Sequence, residues 1–172
     1  MKARHIIIEG PDGTGKTTLA KALCEGAGYA YRHEGPPPAG VTAYQHYAGI
    51  LDRLEQPTLL DRFHLGELVY GPLLRGKSGL SAIDARALQV LVEAFNVQVI
   101  LCMPPLPVAL ANWQERSRRG QEMFADPIIY ASSFIGFHSL RHSADVIFDY
   151  TRDPVDLDWL TTVVRRTQCR AS

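Results

Sequence analysis

The sequence has few cysteines, and their spacing matches neither a metal site nor a disulfide framework. Cys24, Cys102 and Cys169 are scattered over 172 residues and are odd in number. Disulfide-stabilised domains are short and dense in cysteine, which this chain is not. We therefore expect reduced thiols, as in a cytosolic protein.

Long apolar runs and an excess of charge of one sign are also missing. The longest apolar stretch, at 97–110, contains three prolines, and the basic first residues lead into only three isoleucines before Glu9. Neither segment suits a membrane span or a signal peptide. Lysine plus arginine equals aspartate plus glutamate at 18 each, so a contact with nucleic acid would need a local basic patch. We expect a cytoplasmic protein that contacts no membrane.

What the chain does contain is short β-branched runs that alternate with helical periodicities. The predicted strands are His5–Ile8, Tyr29–His33, Thr58–Asp61, Val97–Met103 and Asp145–Phe148. The predicted helices are Lys16–Glu25, 44–54, one opened by a capping box of Ser81 and Asp84, one beginning at Asp126–Pro127, and a closing helix with Leu157, Leu160, Val163 and Val164. This alternation predicts a single α/β domain over 1–172, a three-layer fold in which about five parallel strands carry helices on both faces. Val97–Met103 is the clearest candidate for a central strand.

The strongest chemical signal lies between the first strand and the first helix. Gly10-Pro11-Asp12-Gly13-Thr14-Gly15-Lys16-Thr17 matches the pattern GxxxxGK[ST] of a P-loop. Backbone N–H groups of such a loop surround phosphates, and the helix that follows adds the positive end of its dipole. We expect ATP to contact Gly10, Pro11, Asp12, Gly13, Thr14, Gly15, Lys16, Thr17 and Thr18. Lys16 is then the catalytic cation on the β- and γ-phosphates, and Thr17 a ligand of Mg²⁺.

Asp61 and Arg62 follow the third predicted strand and are expected to reach the same site. Asp61 is placed like the acid that holds Mg²⁺ in P-loop enzymes. Arg62 would lie at the carboxyl edge of the sheet, where ligands bind in this kind of fold. The alternative for Asp61 is a turn aspartate at a strand end.

A cluster of arginines, Arg116, Arg118 and Arg119, predicts a lid at about 112–125. Such a segment can close over the transferring phosphoryl group and exclude water. We expect Arg116 and Arg119 to be catalytic. The alternative is an ordinary solvated helix face.

Together these residues resemble the thymidylate kinase family. The segment Glu9 to Thr18 is similar to its P-loop, and Asp61-Arg62-Phe63 is similar to its Asp-Arg-aromatic motif. The resemblance implies that Asp12 approaches the deoxyribose 3′-hydroxyl, that Arg62 lies near the acceptor, and that Phe63 and Tyr70 stack beside it. It also implies a possible homodimer.

The acceptor side departs from that family. Its members usually carry Arg-Glu-Pro-Gly-Gly-Thr after the second strand, where this chain has Arg32-His33-Glu34-Gly35-Pro36-Pro37, and this chain puts Gly66-Glu67 near the residue that reads the thymine edge. A kinase that phosphorylates a hydroxyl benefits from a carboxylate base, whereas a phosphate acceptor needs none. Glu34 stands where the related deoxynucleoside kinases hold their base, and Glu67 is a second candidate. A structural ion pair of Glu34 with Arg32 or Arg62 is the alternative.

The segment 61–72, with Arg75, also resembles the short viral branch of the family. Some of those enzymes phosphorylate the 5-hydroxymethyl group of 5-hydroxymethyldeoxyuridine in DNA, a step in thymidine hypermodification. The resemblance implies a modified-DNA acceptor, a flipped or single-stranded base, and the host cytoplasm as location if the chain is viral. Phosphate-backbone contacts could come from Arg75, Lys77, Arg116, Arg118, Arg119, Arg165, Arg166 and Arg170. The neutral net charge counts against this interpretation.

Two other functions remain open from the sequence. The first is a deoxynucleoside monophosphate kinase that converts dTMP to dTDP. The second is a P-loop ATPase or GTPase. The chain has no Asn-Lys-x-Asp motif of a GTPase, and Arg62 stands where a motor ATPase carries a glutamate beside its Walker B acid.

Overall fold

The computed structural model describes residues 5–122 and 124–153, together with Trp159 and Thr162. Its strands are β1 His5–Glu9, β2 Ala30–His33, β3 Thr58–Asp61, β4 Val97–Cys102 and β5 Val146–Phe148. Its helices are α1 Lys16–Ala27, α2 Ala43–Asp52, α3 His64–Arg75, α4 Ala82–Ala94, α5 Leu106–Arg118 and α6 Pro127–Ser139, and a short 3₁₀ turn follows at Arg141–Ser143. The predicted closing helix lies outside the described residues.

The strands form one parallel sheet in the order β2-β3-β1-β4-β5. The fourth strand is an interior strand, as predicted, because β4 lies between β1 and β5, while β1 occupies the middle position. Both strands are buried along their whole length. A continuous apolar run shows that a strand is covered on both faces and carries no information about its rank within the sheet.

Helices cover both faces of the sheet, as the alternation of elements predicted. Ile6 and Ile8 point into one core with Leu19 and Leu23 of α1. Ile7 points to the other face, into the core formed with α2, α3, α4 and α6. Successive strand residues face opposite sides, so one short strand serves both cores.

Local signals set where several helices begin. The Ser81 hydroxyl accepts from the Asp84 N–H at 3.1 Å, and the Asp84 carboxylate accepts from the Ser81 N–H at 3.0 Å, which is the predicted capping box. Asp126 caps α6 through the Ile128 N–H at 2.8 Å. Among the described residues, none of the helices has the length and apolar character needed to cross a membrane. Because all strands are parallel, the residues after β1, β2, β3 and β4 meet at one edge of the sheet.

Candidate active site

The loop between β1 and α1 has the backbone of a phosphate-binding loop. Gly10 and Gly13 have φ angles of +137° and +75°, a region that favours glycine. A side chain at Gly10 would place its Cβ 2.5 Å from the Cys102 carbonyl oxygen, and one at Gly13 would approach the Trp113 nitrogen at 3.1 Å. Both glycines are therefore required by the packing of the loop on β4 and α5.

Lys16 lies inside this loop and is almost fully buried. Its ammonium donates to the carbonyl oxygens of Gly10, at 2.8 Å, and Pro11, at 2.6 Å, and lies 3.7 Å from Asp12 Oδ1. Burial lowers the pKa of Lys16, although the Asp12 charge opposes that shift. The cation is thus held at the centre of the loop, at the mouth of a cavity of about 750 Å³ that Lys16 and Asp12 help to line.

The floor of the P-loop rests on α5 and α6. The Tyr130 hydroxyl donates to the Asp12 carbonyl at 2.9 Å, and its ring stacks on Trp113 with centroids 4.8 Å apart. The Asn112 amide donates to the Gly13 carbonyl at 3.2 Å. These contacts hold the backbone of the P-loop against α5 and α6.

Asp61 lies at the end of β3, beside the P-loop, and has one free oxygen. Its Oδ2 accepts from the Tyr31 hydroxyl at 2.7 Å and lies 3.7 Å from His33 Nδ1. Its Oδ1 is buried and has no hydrogen-bond partner in the described part of the chain. A buried carboxylate oxygen without a donor is unfavourable unless a cation binds it. Because Thr17 and Asp61 line the same cavity, the pair fits Mg²⁺.

Arg62 is held in an unusual conformation next to Asp61. Its φ of +76° is in the left-handed region, which is uncommon for a residue with a side chain. Its N–H donates to the Ile8 carbonyl at 3.0 Å, and its guanidinium donates to Asp12 Oδ1 at 2.5 Å. Burial opposes ionisation of Asp12, but the Lys16 and Arg62 charges outweigh it and hold the pKa of Asp12 below its usual value. The turn therefore aims Arg62 at the P-loop.

The predicted lid is only partly a loop. Residues 112–118 belong to α5, which Trp113 anchors in the core at 2% exposure. Arg116 lines the cavity and pairs with Glu122. Arg119 donates to Glu115 at 2.7 Å, as does Arg118 at 3.2 Å. Glu115 lines the cavity, but neither arginine is among the described residues that do. The structure brings Arg116 into the site and leaves Arg119 outside it.

Phe63 and Glu67, predicted to contact the acceptor, lie in the interior. Phe63 is 1% exposed and packs edge-on against Tyr47 with centroids 4.9 Å apart, so its ring face is not available for stacking. Glu67 accepts from Arg75 at 2.5 Å and from the Gly79 N–H at 2.7 Å, which ties down the loop after α3. The sequence could not show which face of α3 packs inward.

Tyr70 and Glu34 contact Arg62 and Asp61, although neither is among the described residues that line the cavity. The Arg62 guanidinium carbon is 5.9 Å from the centre of the Tyr70 ring, which also packs against Phe137. Glu34 pairs with Arg32, the structural alternative that the sequence left open, and is buried. Its N–H donates to the Asp61 carbonyl at 3.1 Å, so Glu34 begins the loop directly beside the end of β3.

Several residues of the site were not predicted from the sequence. One is Glu9, and those that line the cavity are Leu19, Tyr31, His33, Asn112, Glu115, Phe148 and Tyr150. Tyr150 accepts from Asn112 at 2.6 Å, and its ring lies against Gly15. The only sequence signal for Tyr150 is that it follows the last strand. Tyr31 shares a strand face with His33, and this alternation could have placed it beside Asp61.

Comparison with known proteins shows the fold at low sequence identity. No protein-family model matches this sequence, and no curated protein matches it. The YorR protein of Bacillus subtilis, solved with phosphorylated GDP, is 18% identical with a TM-score of 0.70 over 92% of this chain and 93% of that one. Shikimate kinase from Acinetobacter baumannii, solved with shikimate, is 16% identical with a TM-score of 0.57 over 93% and 90%. Deoxyadenosine kinase from M. mycoides with bound dATP is 14% identical with a TM-score of 0.53 over 93% and 95%.

These similarities confirm the predicted α/β fold as that of the P-loop kinases. They extend over nearly the whole length of each chain. None of these three neighbours is described as a thymidylate kinase, so that family and its viral branch stay predictions.

Proposed function

We propose that this chain is a Mg²⁺-dependent kinase that transfers the γ-phosphate of ATP to a hydroxyl group. The observation that carries the proposal is the pairing of a buried lysine inside a P-loop with a buried, unpartnered Asp61 oxygen on the wall of one cavity. A phosphate-binding cation and a cation-binding carboxylate are the two parts that phosphoryl transfer from ATP requires. The kinase-like fold supports the same reaction.

The main charged and polar residues of the site each have a distinct role in the proposed reaction. Lys16 moves from the loop carbonyls to the β- and γ-phosphates, while Arg116 neutralises charge on the transferring group from the α5 side. Mg²⁺ held by Thr17 and Asp61 would neutralise further phosphate charge. Arg62 faces the P-loop from the acceptor side, where its bond to Asp12 fixes its direction.

A hydroxyl acceptor fits the charges of the acceptor side. The arginines there are each matched by a carboxylate, in the pairs Arg32 with Glu34, Arg62 with Asp12, and Arg75 with Glu67. A phosphate that attacks the γ-phosphorus would have to compete with these carboxylates for a cation, whereas an attacking hydroxyl would not. Shikimate, which is bound in one structural neighbour, likewise carries hydroxyl groups.

Glu34 is the proposed general base. Glu34 is the first residue of the loop after β2, and its N–H donates to the carbonyl of Asp61, the proposed ligand of Mg²⁺. The loop proposed to contact the acceptor is therefore attached to the residue proposed to hold the metal. In the reaction, the Glu34 carboxylate takes the hydroxyl proton and the hydroxyl oxygen attacks the γ-phosphorus. The bond from that phosphorus to the bridging oxygen breaks, and ADP leaves. The ion pair with Arg32 would have to open or keep one carboxylate oxygen available.

The specific acceptor we propose is the 5-hydroxymethyl group of 5-hydroxymethyldeoxyuridine in DNA. It combines a thymine-like base, which the Asp-Arg-aromatic resemblance implies, with the hydroxyl that the acceptor-side charges favour. A homodimer is part of the same proposal, because it rests on the same resemblance.

The test offers γ-labelled ATP and Mg²⁺ to the purified chain with three acceptors in parallel. These are DNA that contains 5-hydroxymethyldeoxyuridine, the same DNA with thymine, and free dTMP. Label in the modified DNA alone supports the proposal. Label in dTDP alone identifies a thymidylate kinase and refutes the hydroxyl acceptor, and label in none of the three removes the thymine-like acceptor.

The role of Glu34 has its own test. Glu34→Gln keeps the shape of the side chain and removes the base, so we expect a loss in turnover of roughly a hundredfold or more on a hydroxyl acceptor. Glu25→Gln, on the exposed side of α1, is the matched control. Equal rates for wild type and Glu34→Gln would exclude Glu34 as the base.

A further inference from the structure

The first turn of α3 is capped by a residue from another strand. Phe63 is at the N-cap position, where its side chain offers no acceptor. The N–H groups of Phe63, Leu65 and Gly66 all donate to Oε1 of Glu9, at 2.8, 3.0 and 3.2 Å. One carboxylate oxygen therefore satisfies donors that helix starts normally leave to a local cap.

Glu9 is also the residue that enters the P-loop. It ends β1, directly before Gly10, and is 1% exposed. The positive charges of Lys16 and Arg62 act on its carboxylate. A side chain at Gly66 would bring a Cβ within 3.4 Å of Glu9 Oε2, so the helix start lies directly against the carboxylate. The strand that positions the P-loop thus also fixes the start of α3.

Arg62, which directly follows Asp61, is attached to β1 by hydrogen bonds on both sides. Arg62 bonds to Ile8 through its N–H on one side, and Phe63 bonds to Glu9 on the other. Left-handed backbone at a residue with a side chain persists only where its neighbours hold it. Displacement of a catalytic group by about 1 Å can lower turnover by orders of magnitude.

We propose that Glu9 is a positioning residue for phosphoryl transfer, which caps α3 from β1 and so holds Arg62 in place against the P-loop. The proposal rests on the kinase function proposed above. Glu9 acts through Arg62 and the α3 backbone and touches neither the phosphates nor the acceptor. A residue with this role should affect the rate of the chemical step more than the binding of ATP.

The test compares Glu9→Gln, which keeps an acceptor oxygen, with Glu9→Ala, which removes it. For the full chain we expect kcat to fall roughly tenfold in Glu9→Gln and roughly a hundredfold in Glu9→Ala, with KM for ATP within about twofold of wild type in both. Amide hydrogen exchange of 62–66 should become faster in Glu9→Ala and less so in Glu9→Gln. Glu25→Gln serves as control and should match wild type in all three measurements.

The outcomes separate this proposal from the kinase function. Wild-type kcat in both Glu9 variants, or unchanged exchange of 62–66, overturns the role of Glu9 while the kinase function stands. Proportional rises in KM for ATP with unchanged kcat would also overturn it, because they would assign Glu9 to the shape of the P-loop. A wild type that binds ATP and phosphorylates no acceptor refutes the kinase function, and the exchange data then still decide whether Glu9 holds the turn.

Discussion

Glu9→Gln should make the protein more stable at alkaline pH. Burial raises the pKa of Glu9 to about 7 from 4.5, and the bonds from Gly66 and Phe63 with the charges of Arg62 and Lys16 offset only part of that effect. The folded chain therefore keeps the Glu9 proton up to about pH 7, whereas the unfolded chain releases it near pH 4.5. Between these values the unfolded state binds fewer protons, so the stability of the wild type falls as pH rises.

The size of this effect follows from the two pKa values. One pKa unit corresponds to about 1.4 kcal/mol, so ionisation of Glu9 costs the folded state about 3 kcal/mol in full, of which about 2.5 kcal/mol develops between pH 5 and pH 8. Glutamine matches the protonated acid in shape and does not ionise. The free energy of unfolding of Glu9→Gln should equal that of wild type near pH 4.5 and exceed it by about 3 kcal/mol at pH 8.

Urea denaturation at pH 5, 6, 7 and 8, followed by tryptophan fluorescence, measures this difference. Burial lowers the pKa of His64 to about 4, and this contribution cancels because both proteins carry that histidine. Glu25→Gln provides the control, because it makes the same change at an exposed position of α1. A constant difference between Glu9→Gln and wild type across the range, or one that shrinks as pH rises, would refute the reasoning.

Four further predictions concern the cavity and its support. Lys16→Ala should abolish phosphate transfer from labelled ATP, and undiminished turnover would refute the P-loop role. Arg116→Ala should lower kcat roughly tenfold or more, while Arg118→Ala, outside the cavity lining, should stay within about twofold of wild type. Tyr31→Phe removes a hydrogen bond to Asp61 and should change the half-saturating Mg²⁺ concentration roughly tenfold in a titration. An unchanged concentration would show that this hydrogen bond does not affect the binding of Mg²⁺. Trp113→Ala should lower the free energy of unfolding by about 3 to 5 kcal/mol in urea, and a loss below about 1 kcal/mol would contradict its core position.

The elements of the fold could be predicted because each carries a local signal. The first and third strands are short buried runs that each end at an acidic residue. Helix α4 begins at a capping box in which Ser81 and Asp84, three residues apart, exchange two hydrogen bonds. The order of the strands could not be predicted in the same way. Burial patterns of β1 and β4 are equivalent, and only the pairing of β1 with both β3 and β4 makes it central.

The residues of the site likewise differ in whether a local sequence pattern predicts them. The P-loop and the Asp61-Arg62 turn are contiguous in sequence, and their chemistry is visible in the order of residue types. Glu9 acts on Phe63, 54 residues further along the chain, and no local pattern links the two. Phe63 was assigned to the acceptor as part of the Asp-Arg-aromatic motif, and Glu67 because it stands near the residue that reads the thymine edge in the similar family. The side of α3 that faces the core depends instead on packing against α6.

Two unfavourable features meet where β1 contacts the turn before α3, and this coincidence needs a reason. The buried charge of Glu9 opposes folding at neutral and alkaline pH, and Arg62 carries a left-handed backbone that glycine would adopt more easily. Selection for stability alone would favour glutamine at position 9 and glycine at position 62. Strain and desolvated charge persist where they position a group that function requires. A Glu9→Gln variant that gains stability at pH 8 while it loses turnover would show both effects in one molecule. It would indicate that the stability lost through the Glu9 charge serves to place Arg62.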